Sequence, residues 1–178
     1  METPVAIVVI AIIVVLVSIS VYLSRMARNL KRLQNNLDRD WIDIDKLLQQ
    51  RSNQLPRIIQ ICRSYLPDEK AALKAVSEAR SAYRKAATVQ DKASADAGVT
   101  QALHQLFAEA KNSPPLESNN TFVQLQTDLM EIEETLAERR DLFNEDVQQF
   151  NSRLQRIPGK WMRGRAHVRP RPLFEAKK

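Results

Sequence analysis

The chain has 178 residues, with 27 Lys and Arg against 21 Asp and Glu for a net charge of +6, which leaves room for one domain and its appendages. It contains only three glycines, Gly98, Gly159 and Gly164. Strand hairpins lean on glycine turns, so an all-α fold is predicted, in keeping with an abundance of strong helix formers. The single cysteine, Cys62, excludes an internal disulfide framework and a multi-cysteine zinc site.

Pro4 to Ser24 forms an uncharged run of 21 residues, and about 20 helical residues cross the hydrocarbon core of a bilayer. A cleaved signal peptide is the competing reading. It lacks support, because no basic residue precedes the run and no Ala-x-Ala site follows it. Residues 1–24 are therefore predicted to be a transmembrane anchor, 25–157 a helical bundle and 158–178 a basic tail. Arg25, Arg28, Lys31 and Arg32 follow the span directly. The positive-inside rule then places the N-terminus outside and the bundle in the cytoplasm.

The first bundle helix is predicted to continue the anchor without a break to about residue 54. Its apolar residues Leu30, Leu33, Leu37, Trp41, Ile44, Leu48 and Leu55 recur at helical spacing, and no Gly or Pro intervenes between 5 and 55. Pro56 is predicted to disrupt this helix, with a short helix carrying Ile58, Ile59, Cys62 and Tyr65 after it. Pro67-Asp68-Glu69 signals the next start. One helix is predicted from there through Leu73, Val76 and Tyr83 to Leu103, Leu106 and Phe107. Its alanine-rich middle, 86–102, is expected to be thin and closely packed or locally kinked at Gly98. Pro114-Pro115 marks a turn and Ser118-Asn119-Asn120-Thr121 supplies caps. The last helix then carries Phe122, Leu125, Leu129, Ile132, Leu136, Phe143, Val147, Phe150, Leu154 and Ile157 before Pro158-Gly159 ends it. The prediction is an antiparallel up-and-down bundle of three long helices plus one short, packed in the manner of a coiled coil.

Three arginines stand in these apolar seams: Arg51 between Leu48 and Leu55, Arg80 between Val76 and Tyr83, and Arg139 between Leu136 and Phe143. A desolvated arginine needs carboxylate partners, and Asp45, Glu69 and Glu133 are the candidates nearest the seams. One reading is a buried structural network of these six residues that holds helix register. A second is that each arginine bends outward to water. A third is that Arg51, Arg80 and Arg139 converge on an anionic ligand.

Residues 25–155 hold 19 basic and 19 acidic side chains, so the net positive charge resides in the tail. An acidic stretch, 128–146, holds eight carboxylates against Arg139 and Arg140. In the tail, Lys160, Trp161, Arg163, Arg165, Arg169 and Arg171 form a basic strip interrupted by Pro and Gly. Such a strip suits an anionic lipid surface, each charge contributing about 1 kcal/mol. It could equally be a solvated tail that aids solubility. Nucleic-acid binding is a weaker alternative, because the bundle has no basic face to extend the footprint.

Catalytic chemistry is not expected. His104 and His167 are the only histidines, and neither forms the Glu-x-x-His pattern of di-metal bundles. No phosphate loop, dinucleotide fingerprint or G-x-S-x-G occurs. No cofactor or small-molecule substrate is therefore expected. Cys62 occupies an apolar helical position far in sequence from any histidine and reads as a core residue. Glu133 and Glu134 face different directions on a helix and make no acid/base pair.

Trp41, Ile44-Asp45, Leu48, Arg51 and Leu55-Pro56, followed by Tyr65, Glu69 and Ala79-Arg80, resemble the first signature of the LemA family of bacterial membrane proteins. Asn120, Phe122, Leu125, Glu133, Arg139, Arg140, Phe143-Asn144, Val147, Phe150-Asn151 and Ile157-Pro158 resemble its second signature. Leu173-Phe174-Glu175-Ala176 is similar to its closing aromatic motif. Phe143 and Phe150 stand where that family usually has tyrosine, so no role for those hydroxyls carries over. The resemblance implies an up-and-down four-helix bundle on a membrane anchor, without an established catalytic activity. The combined expectation is a non-enzymatic scaffold or organiser in the bacterial cell membrane, whose partners are the membrane, other membrane proteins or further copies of itself.

Overall fold

The computed structural model describes residues 2–66, 70–156 and 169–176, and all regular structure among them is helical. Helix α1 spans Glu2–Tyr65, α2 Lys70–Lys85, α3 Val89–Ala110, the one-turn α4 Pro114–Glu117 and α5 Asn120–Gln155. The chain divides into two compact units, Met1–Asp38 with Gln148–Arg171, and Arg39–Val147 with Pro172–Lys178.

In the first unit α1 is long and apolar enough to cross a membrane. Ile10, Ile13, Leu16 and Ile19 are all half or more exposed. Further along, Leu30, Leu37, Phe150 and Leu154 are buried. Asn151 of α5 clamps the backbone of Arg171: its Oδ1 accepts from the Arg171 N–H at 2.9 Å and its Nδ2 donates to the Arg171 carbonyl at 2.8 Å. The Arg171 guanidinium donates to Asp38.

In the second unit the helices alternate in direction. Steps along α1 from Trp41 to Arg51 to Tyr65 are matched by equal steps back along α5, from Phe143 to Glu133 to Asn119 at its N-cap, so these two helices are antiparallel. Asp45 and Arg51 of α1 meet Lys92 and Asp96 of α3 in the forward sense, so α1 and α3 are parallel. Ala79 of α2 lies opposite Gly98 of α3. The core follows the helical spacing read from the sequence. Leu55, Ile58 and Cys62 of α1 are buried with Leu73 and Val76 of α2, Leu103 and Leu106 of α3, and Phe122, Leu125 and Leu129 of α5. Each such side chain contributes about 1.5–3 kcal/mol by leaving water.

Two sequence expectations are corrected here. Pro56 does not end the first helix, which continues unbroken to Tyr65. A proline inside a helix orphans the carbonyl four residues earlier, which is that of Ser52. That carbonyl instead accepts from Arg80 Nε at 3.2 Å, while the Pro56 ring lies on the exposed side. The second correction is that the helix predicted to run from the Pro67 region to Phe107 is two helices, α2 and α3. Thr88 starts α3 afresh with a capping box: its hydroxyl accepts from the Asp91 N–H at 3.1 Å, and the Asp91 carboxylate accepts from the Thr88 N–H at 3.4 Å. Such a cap contributes about 1 kcal/mol. Asn119 caps α5, accepting from the Phe122 N–H at 3.0 Å while its amide donates to the Tyr65 hydroxyl at 3.1 Å.

Candidate functional site: a buried arginine and its surroundings

Arg51 occupies a core position of α1, two turns after Ile44 and two turns before Ile58, and its side chain is only 2% exposed. Nη1 donates to Asp96 Oδ1 at 2.7 Å, and Nη2 to Thr100 Oγ1 at 3.0 Å and Glu133 Oε2 at 3.3 Å. Three helices thus meet on one guanidinium: α1 brings it, α3 supplies Asp96 and Thr100, and α5 supplies Glu133. The Asp96 side chain is 9% exposed, whereas that of Glu133 is 30% exposed and also lies 3.6 Å from His104 Nε2. Burial pushes the Asp96 carboxyl above the usual carboxylate range, against the opposing pull of Arg51. Arg51 Nε is buried without a hydrogen-bond partner among the described residues, as is Gln54 Oε1. A cleft of about 290 Å³ lined by Arg51, Asp96, Thr100, Glu133 and Arg140 adjoins the network. This arrangement is suited to holding three helices in one register, because the ion pair leaves little charge unanswered.

A second cluster surrounds Trp41. Its ring centroid lies 5.9 Å from that of Phe143 and 5.8 Å from that of Phe174. Lys92 sits over the indole at 5.6 Å and also bonds Asp45. Phe174 is 2% exposed, and Asn144 of α5 clamps its backbone. The clamp has Oδ1 accepting from the Phe174 N–H at 2.7 Å and Nδ2 donating to its carbonyl at 3.3 Å.

The sequence model of the LemA family matches residues 40–178. The chain belongs to the LemA family. No curated protein matches it.

The six residues expected to share one network in this LemA chain do not do so. Arg51 and Glu133 are brought together, but Asp45 pairs with Lys92 instead. Arg80 caps the Ser52 carbonyl rather than a carboxylate. Arg139 is exposed, on the surface beside Asp40. The Asp40 carboxyl is itself raised, by burial first and then by the charges of Asp146 and Asp43, with Arg139 opposing. Glu69 lies outside the described residues. The proposed convergence of Arg51, Arg80 and Arg139 on one ligand is therefore not realised. Arg51 and Arg80 line different clefts, and Arg139 lines neither.

Of the basic tail residues, Lys160, Trp161, Arg163 and Arg165 lie outside the described residues, and Arg169 is exposed. Arg171 is half-buried against Asp38 rather than free for lipid. Among the described residues no group of three His, Cys, Asp or Glu side chains is placed to hold a metal ion. Cys62 is buried in the core, and burial pushes its thiol up to about 11. Sequence reasoning missed Asp96, although it falls at helical spacing with Val99, Leu103 and Leu106, the same signal that singled out Arg51.

Proposed function

We propose that this LemA-family chain is a non-enzymatic, single-pass protein of the bacterial cell membrane that presents its helical bundle to the cytoplasm as a scaffold for protein or self-association. The exposed apolar surface of α1 carries the reading. Its aliphatic side chains from Ile10 to Ile19 lie in a helix long and apolar enough to cross a membrane, and surface of that kind is unfavourable in water. The basic residues Arg25, Arg28, Lys31 and Arg32 favour a cytoplasmic bundle.

Association is supported by α5, which exposes Val123, Met130 and Leu142 along a helix otherwise rich in carboxylates. The pairing of both Arg51 Nη groups with Asp96, Thr100 and Glu133 supports a structural use of the buried polar groups. Two measurements test the reading. Carbonate-washed membranes should retain the chain, and cross-linking in native membranes should trap species larger than one copy. Release by carbonate would remove the anchor, and a strictly monomeric pattern would remove self-association.

A further inference from the structure

A cleft of about 350 Å³ lies between α1 and α2, lined by Gln49, Ser52 and Asn53 on one side and Arg80, Tyr83 and Arg84 on the other. None of the lining residues is a carboxylate. Several cations elsewhere in the bundle have acidic partners: Arg51 has Asp96, Lys92 has Asp45, Lys46 has Asp43 and Lys74 has Glu78. Arg80 and Arg84 have none among the described residues.

Arg80 is held in place by its Nε bond to the Ser52 carbonyl at 3.2 Å. Its orientation is thus set by the backbone rather than by a counter-ion, and its two Nη groups keep their donors. Arg84 follows one turn later on the same helix face, with Tyr83 between them, so α2 brings three donor side chains to one wall of the cleft. Burial pushes the Tyr83 phenol up to about 12, with Asp45 and Asp96 adding to the shift. It therefore stays protonated and can donate at neutral pH. The two carboxylates whose charge reaches Tyr83 are already taken up, Asp45 by Lys92 and Asp96 by Arg51.

We propose that the α1–α2 cleft binds a small phosphoryl anion through the guanidinium groups of Arg80 and Arg84 and the Tyr83 hydroxyl. Two guanidinium groups and a hydroxyl suit the several oxygens of a phosphoryl group better than a planar carboxylate, which a single guanidinium satisfies edge-on. The volume is at the low end of the range of about 300–1,000 Å³ usual for small-molecule sites. The site is independent of self-association and stands or falls separately from it.

The test uses the full chain in detergent micelles, titrated with inorganic pyrophosphate at constant ionic strength and read by calorimetry. Saturable binding is expected. Arg84→Gln should weaken it about tenfold or more, the effect of losing one charge-assisted contact. That exposed side chain makes no described bond, so the variant should keep wild-type helicity and unliganded melting temperature. Arg84→Lys, which keeps the charge but not the fork, should fall between the two. Phosphatidate in otherwise neutral nanodiscs should compete with pyrophosphate if the phosphoryl group belongs to a lipid headgroup, and should not compete if the ligand is soluble. Absence of saturation, or equal binding by Arg84→Gln, would overturn the site. Citrate binding as tightly as pyrophosphate would overturn the phosphoryl assignment.

Discussion

Arg51→Met is the perturbation that most directly interrogates the bundle. Methionine replaces the aliphatic stem, so little cavity is created, but the guanidinium that answers Asp96 at 2.7 Å is lost. Asp96 then remains as a carboxylate that is 9% exposed and without its counter-ion. Breaking a buried pair in this way costs about 3–5 kcal/mol. Glu133, at 30% exposure, can turn to water and adds little. The deficit should depend on pH with a definite sign. Burial already raises the Asp96 carboxyl and Arg51 pulls it down, so losing Arg51 moves it further up. A carboxyl whose folded-state pKa exceeds its unfolded value holds more protons when folded. Stability therefore falls as pH rises from the ordinary aspartate value of 3.8 through the raised folded pKa, and returns as pH is lowered again. The Arg51→Met deficit should accordingly shrink from neutral pH toward acid. At neutral pH, Asp96→Asn in the same chain should restore about 2 kcal/mol, a coupling within the range for direct contacts. Urea unfolding of the full chain in micelles, followed by far-ultraviolet circular dichroism, measures both effects. A cost below about 1 kcal/mol, or a deficit indifferent to pH and to Asp96→Asn, would refute the account of the network.

Arg80→Met should cost about 1–3 kcal/mol by uncapping the Ser52 carbonyl. Pro56→Ala should recover much of it, because alanine returns the missing N–H; a loss of the same size in both backgrounds would show that Arg80 acts otherwise. Gly98→Ala should raise stability by about 0.5–1 kcal/mol in urea unfolding, since the added Cβ would lie an ordinary 4.0 Å from Ala79 Cβ. Phe174→Ala should cost about 2–3 kcal/mol, less than the full loss for a core phenylalanine because the segment can detach. It should also alter Trp41 fluorescence and admit proteases near residue 170, and unchanged fluorescence would count against the Trp41–Phe174 contact. Cys62, buried and with its thiol pushed up to about 11, should react with maleimide at neutral pH only as fast as the chain unfolds. Rapid labelling of the native protein would contradict its place in the core.

The helices of the bundle were legible because their burial is periodic: Ile44, Leu48, Leu55, Ile58 and Cys62 all lie in the core where their spacing puts them. Arg51 and Glu133 were legible for the same reason, a charge standing near an apolar stripe. Asp96 carries that signal too, but the surrounding alanines suggested thin packing and drew attention to Gly98 instead. The Asn144 clamp left no trace of its partner, because an asparagine that bonds the N–H and carbonyl of Phe174 reads a backbone and not a side chain. Periodicity reports which way a residue faces, and it is silent about bonds to main-chain atoms.

Pro56 and Arg80 show the same limit from the other direction. Each looked unfavourable alone, a proline within a helix and a charge within a seam. Placed together they cancel: the proline orphans the Ser52 carbonyl, and that carbonyl gives Arg80 Nε the acceptor it would otherwise lack. Losing either partner alone exposes the other's cost in the case of Arg80, but not in the case of Pro56, because a restored N–H merely competes for the same oxygen. The pair is therefore asymmetric. A chain with alanine at 56 should tolerate many residues at 80, whereas a chain with proline at 56 should demand a long donor there. A library at position 80 selected for folding in both backgrounds should enrich Arg or Lys only beside proline. Equal enrichment in both would mean that Arg80 supports the fold by something other than its bond to the Ser52 carbonyl.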